Sequence, residues 1–97
     1  MSGGHFQYKQ YQLGYIADAI EQLIINNDSK ELNQWGDPIG GRYSARDIEV
    51  FKQAVKYIQV AEVYANRIDW FVSGDDGEEN FHRRLAAELA ELNQRFE

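Results

Sequence analysis

The 97-residue chain contains no cysteine. A disulfide framework, thiolate zinc and cysteine catalysis are excluded with it. No apolar run approaches the roughly 18 residues a membrane span needs. The N-terminus has no basic stretch leading into an apolar run, so no secretory signal is expected and the cytoplasm is the expected location. Histidine is scarce, with only His5 and His82. No serine stands in a nucleophile-elbow context, and no His/Asp cluster has metal-ligand spacing. Enzyme activity, a bound metal and a cofactor are therefore not expected. Proline is limited to Pro38, and there is no internal repeat or low-complexity stretch.

What is present describes a folded chain. With 43% hydrophobic and 27% charged residues, residues 1–97 are expected to form one domain with a single core. The net charge is −6, spread along the chain: residues 1–43 carry three basic and five acidic side chains, residues 44–97 seven and eleven. Such a balance argues against wrapping a nucleic-acid backbone. It suits either an ordinary solvated surface or an acidic one that meets a basic partner. Two Trp, six Tyr and five Phe are many for a small core. Some of these rings are expected to line an interface or a pocket.

Apolar periodicity predicts three helices. Leu13, Ile16, Ala17, Ile20, Leu23 and Ile24 recur at helical spacing over residues 12–27, and Asn26–Ser29 supplies turn formers. A short helical turn is expected over Lys30–Trp35, with Leu32, Trp35 and Ile39 pinning the following loop to the core. Ser44 and Asp47 resemble a capping box that opens the longest helix, running to about Val72 and stopped by Gly74. Two apolar stripes run along it. The first is Val50, Ala54, Tyr57, Ala61, Tyr64, Ile68 and Phe71. The second is Ile48, Phe51, Val55, Ile58, Ala65 and Val72, broken by Glu62 and Asp69. An inward-facing carboxylate at either break needs a partner, with Arg67, Lys56 or a neighbouring subunit available. A last helix is expected over residues 78–95, with Phe81, Leu85, Leu89, Leu92 and Phe96 as its stripe. The expected fold is all-α: a small antiparallel three-helix arrangement with a long central helix. Covering the overhang of that helix calls for homo-oligomerisation.

Four places can carry function. Gly40-Gly41-Arg42-Tyr43 leads into a helix start, where backbone N–H groups favour anions. Arg42 can grip a phosphate and Tyr43 or Trp35 can stack on a base; the stretch also reads as a plain loop-to-helix junction. At the N-terminus, Gly3, Gly4 and His5 precede Phe6, Tyr8, Tyr11 and Tyr15, which either pack on the long helix or form a pocket wall or subunit contact. Trp70 is either a binding anchor or buried by the N-terminal segment. Asp75, Asp76, Glu78 and Glu79 form an acidic turn without EF-hand spacing, suited to a basic protein surface, and Arg83 and Arg84 sit beside it within reach of phosphate across a subunit boundary.

The stretch Ser2-Gly3-Gly4-His5-Phe6 with Tyr8 and Tyr11, Ile16-Ala17-Asp18 and Ile20-Glu21 resembles a group of short phage and prophage proteins. Arg67-Ile68-Asp69-Trp70, Ser73 to Glu79 and Phe81-His82 resemble theirs as well, so the likeness spans most of the chain. It implies a phage accessory protein in the host cytoplasm, of a kind that often counters host defence. Two functions are then expected. One is a non-enzymatic oligomer that sequesters a small nucleotide signal such as a cyclic oligonucleotide, using Gly40, Gly41, Arg42, Tyr43, Trp35, His5, Tyr8, Arg83 and Arg84, with Phe6, Tyr11 and Trp70 at the subunit contact. The other is an acidic inhibitor of a host defence or nucleic-acid enzyme, partly imitating DNA. Neither reading involves direct nucleic-acid binding or a membrane.

Overall fold

The computed structural model describes residue 4 and residues 6–96. Its regular structure is three helices: α1 (Tyr11–Ile25), α2 (Ala45–Val72) and α3 (Glu78–Arg95). No strand occurs among the described residues, where only an isolated antiparallel bridge joins Leu32 and Pro38. The architecture is all-α. α2 starts with a capping box: the Ser44 side chain accepts from Asp47 N–H at 3.1 Å, and the Asp47 carboxylate accepts from Ser44 N–H at 3.4 Å. It stops where Gly74 takes a left-handed φ of 84°, a conformation that costs glycine nothing.

α1 and α3 each pack on α2 and not on each other. The start of α1 lies beside the end of α2, where Tyr11 Oη donates to Asn66 at 3.5 Å. Its far end lies beside the start of α2, where Asn27 meets Tyr43. α3 returns along a different face of α2, with Phe81 stacked on Phe71 at 4.7 Å and Glu88 facing Arg67. At about 100° per residue, the α1-facing positions (Val55, Glu62, Asp69) and the α3-facing positions (Val63, Arg67, Phe71) lie about 140° apart around α2.

Two covering helices cannot enclose a third, and the consequences run through the molecule. α1 lies over the second stripe and its acidic breaks, leaving Val72 at its end exposed. The first stripe, although unbroken by charge, stays largely outside: Val50, Tyr57, Tyr64 and Phe71 are 62, 67, 43 and 37% exposed. Among the described residues only Ala17, Val55 and Leu92 are buried apolar side chains. The Cα extents are 52 × 30 × 14 Å and the radius of gyration is 17.1 Å, against about 13 Å for a compact chain of this length. The layer is little more than one helix thick.

The N-terminal rings do not form core either. Tyr8, Tyr11 and Tyr15 are exposed, and only Phe6 of the group is half-buried. Nor do residues 30–35 form a helical turn. Asn33 Oδ1 accepts from the N–H groups of Trp35 (2.8 Å) and Asp37 (3.1 Å), an Asx-type turn that competes with helix. It projects Leu32, Trp35 and Ile39 outward, so they do not pin the loop. Asn27 does that work instead. Its side-chain amide donates to Tyr43 O at 3.1 Å and accepts from Tyr43 N–H at 2.7 Å.

Candidate functional site

The acidic turn is built around one residue that does not face solvent. Asp75 and Asp76 N–H both donate to Trp70 O, at 2.9 and 3.3 Å, which folds the turn back on the end of α2. This aims the Asp76 carboxylate inward, where it is buried. Arg84 of α3 donates to it at 2.9 Å, and the buried Arg67 of α2 at 3.5 Å. Arg67 also lies 3.7 Å from Glu88 and 5.3 Å from the Trp70 ring centre. Two arginines and two carboxylates thus tie α2, the turn and α3 together. Asp76 is therefore removed from the expected protein-binding acids, because its charge is spent internally, and Arg84 is engaged with it. Asp75, Glu78 and Glu79 remain exposed at the tip. Arg83 is exposed and donates to Asn80 at 2.6 Å, and His82 packs edge-on against Phe81. Trp70 is half-buried behind the turn.

Beside this end of the molecule, the segment before α1 closes over Asp69. That side chain is fully buried; it accepts from Phe6 N–H at 3.3 Å and from Gln10 Nε2 at 3.1 Å. α1 has no acidic residue in its own first turn and Gln10 is its N-cap. Asp69 supplies from α2 the negative charge that the positive end of α1 lacks. Of the partners expected for it (Arg67, Lys56 or a neighbouring subunit), Arg67 faces Asp76 and Glu88. His5 lies outside the described residues, and Tyr8 stacks on Tyr11 at 6.3 Å.

The Gly40–Tyr43 junction lies at the opposite end. A Cβ on Gly40 would come within 2.7 Å of the carbonyl oxygens of Asn26, Asn27 and Ser29. Glycine is required there so that the loop can cross the end of α1, and the surrounding oxygens are a poor setting for a phosphate. Gly41 lies against the Tyr43 ring. Arg42 has a left-handed φ of 54°, its N–H donates to Asn27 O at 2.9 Å, and its side chain is exposed. The N–H of Asp47 is already taken by Ser44. Trp35 is 76% exposed on the same loop. α2 is 28 residues long, about 42 Å. One chain therefore keeps Trp35 and Gly40–Tyr43 at one end and Tyr8, Arg83 and Arg84 at the other.

Between α1 and α3, two grooves of about 620 and 450 Å³ run over α2. Ile24, Val55 and Phe96 line the first; Tyr11, Tyr15, Glu62 and Arg95 line the second. In the second groove Glu62 lies against Gly14 of α1. Burial raises its carboxyl above the ordinary 4.5, the Gly14 backbone N–H pulls it partly back, and Asp18 adds to the rise. Among the described residues no group of three His, Asp or Glu is arranged to hold a metal ion. No described helix is long and apolar enough to cross a membrane.

Sequence reasoning found Asp69 and Glu62 as breaks in a stripe, but not Asn27, Gln10, Gly14 or the Arg67–Asp76 pair. Nothing in the local pattern distinguishes Asn27 from the turn formers around it. No protein-family profile, characterised protein or solved structure matches this chain.

Proposed function

We propose that the chain is a non-enzymatic protein-binding module that engages a basic surface on a partner through its anchored acidic turn. The observation that carries this reading is the division of labour around Asp76. One carboxylate is buried between Arg67 and Arg84, and its neighbours Asp75, Glu78 and Glu79 are presented to solvent from a turn so fixed. Pre-positioned charges lose little freedom on binding, and they steer an oppositely charged partner. The flanking helices run back along α2 as an antiparallel three-helix arrangement would, which gives the turn a rigid base. The likeness to phage accessory proteins suggests the setting, a host defence or nucleic-acid enzyme with a basic face in the host cytoplasm.

The test is affinity capture from a host expressing such systems, in about 50 mM and about 500 mM salt. Screening at the higher value should release a partner held by surface charge. A protein retained by the wild type at low salt and lost by Asp75→Arg/Glu78→Arg/Glu79→Arg supports the reading. Equal capture by the charge-reversed chain sinks it.

A second reading, sequestration of a small nucleotide signal, is favoured by one observation: Trp35 and Arg42 are both exposed on the α1–α2 loop. A stacking ring and a guanidinium on one loop suit a base and a phosphate. Thermal shifts against a panel of linear and cyclic nucleotides test it. A shift lost in Arg42→Ala would favour it over the protein-binding reading.

A further inference from the structure

The exposed stripe of α2 has properties that the acidic turn does not explain. Val50, Tyr57, Tyr64 and Phe71 are seven residues apart, and Ala54, Ala61 and Ile68 fill the alternate positions. This is the spacing of a coiled-coil seam over three heptads. It is centred about 130° from the α1 contact and about 90° from the α3 contact, on the back of the layer. Between Val50 and Val72 no charged residue falls on that arc, although 27% of the chain is charged. α3 touches this arc only at its end, where Phe81 stacks on Phe71 and leaves it 37% exposed.

We propose that this seam joins two copies of the chain in an antiparallel pair, with the two-fold axis passing beside Ala61. Three observations select a second copy as the occupant. First, the chain exposes 7032 Å², whereas a folded monomer of 11.3 kDa exposes about 5,700 Å². The excess, about 1,300 Å², is more than the roughly 800 Å² each partner contributes to a standard interface. Second, two chains of net charge −6 can meet over an uncharged arc without opposing like charges.

Third, the seam is complementary to its own reverse. With Ala61 facing Ala61 of the other copy, Ala54 faces Ile68, Val50 faces Phe71 and Tyr57 faces Tyr64. A smaller residue then stands against a larger one at Ala54–Ile68 and Val50–Phe71, as interdigitating layers require, while Ala61 and the tyrosines meet their like. The paired alanines let the backbones approach closely at the axis. Parallel pairing would set Ala54 on Ala54 and Phe71 on Phe71, alternating gaps with crowding. Antiparallel helices also oppose their dipoles favourably. Tyrosine suits such a face because its hydroxyl tolerates the rim while its ring is buried. This pairing does not depend on the acidic turn binding anything.

The test is mass in solution by sedimentation equilibrium from about 1 to 100 μM. The expected species has twice the 11.3 kDa chain mass. Ala61 is exposed in the single chain, so Ala61→Arg should keep its helical circular dichroism. It should weaken pairing at least about 100-fold, because each arginine would be buried against its own copy. Register is read by cross-linking, since the chain has no native cysteine. Under oxidation, Ala54→Cys mixed with Ile68→Cys should give the mixed covalent dimer, and Ala54→Cys alone should give none. A wild type that is monomeric throughout, a pair that survives Ala61→Arg, or efficient self-linking of Ala54→Cys would each overturn the proposal.

Discussion

Gly14 of α1 lies directly against the carboxylate of Glu62 on α2, so close that a Cβ at residue 14 would overlap it. The glycine lets a charged residue sit inside a helix contact. Burial holds the Glu62 carboxyl above the ordinary value of 4.5, so the folded chain favours its protonated form. The stability this contributes is complete below pH 4.5 and is lost as pH rises through the folded-state value. Glu62→Gln should therefore melt higher than the wild type at pH 7.5, with the gap closing below pH 4.5. A gap that persists at low pH would rule out ionisation of Glu62 as its source.

The same contact sets the outcome at residue 14. Alanine in a helix interior gains about 0.8–1 kcal/mol over glycine. Gly14→Ala should realise only part of this while Glu62 is present, and nearly all of it in a Glu62→Ala background. Denaturant melts of the four combinations measure the difference. Additivity would show that residues 14 and 62 do not press on each other.

Asp69 is expected to be one of the two most sensitive carboxylates among the described residues. Asp69→Ala leaves the Phe6 N–H and the Gln10 amide without their acceptor, a loss of about 2–3 kcal/mol. Hydrogen exchange should show the damage first at the start of α1. Protection unchanged there would refute the assignment.

Asp76 and Glu79 are three residues apart and should behave oppositely. Asp76→Ala leaves the buried Arg67 without its hydrogen-bonded counter-charge and should cost about 3 kcal/mol or more. Glu79→Ala removes an exposed side chain and should stay within about 0.5 kcal/mol. Equal effects would contradict the anchored turn.

Trp35 projects from the α1–α2 loop. Trp35→Ala should change stability by no more than about 0.5 kcal/mol, although the loss of a buried tryptophan would cost several times that. Trp35 fluorescence should also be quenched readily by iodide in a Trp70→Phe background.

Local signals made the helices readable, and long-range ones hid the rest. The Ser44/Asp47 box and Gly74 lie within the segments they delimit, so the bounds of α2 could be seen in the sequence. α1 was placed almost as well, beginning at Tyr11 and ending at Ile25. Periodicity also found both stripes of α2. It could not say which would be covered, because that depends on where α1 and α3 land and on there being only two of them. The stripe broken by Glu62 and Asp69 was covered because Gly14, Phe6 and Gln10 accommodate those two carboxylates. The candidate site was harder to read. Asp76 looked like its acidic neighbours until Arg67 and Arg84 were brought to it across two helices. Trp35 and Leu32 looked like anchors because they are apolar, whereas the anchor is the polar Asn27. Its two bonds to Tyr43 span sixteen residues.

That clamp, with the Arg42 N–H bond to the Asn27 carbonyl beside it, makes the α1–α2 connection a closed ring hung from one residue. The ring is fastened at its neck by Asn27 and Tyr43 and crossed once by the Leu32–Pro38 bridge, while its tip at Trp35-Gly36 touches little. A peptide bond cut at the tip would leave both fragments attached to the helices on either side of the neck. New chain ends, a reporter domain or a short affinity tag can thus be spliced between Trp35 and Gly36 without disturbing the helix layer.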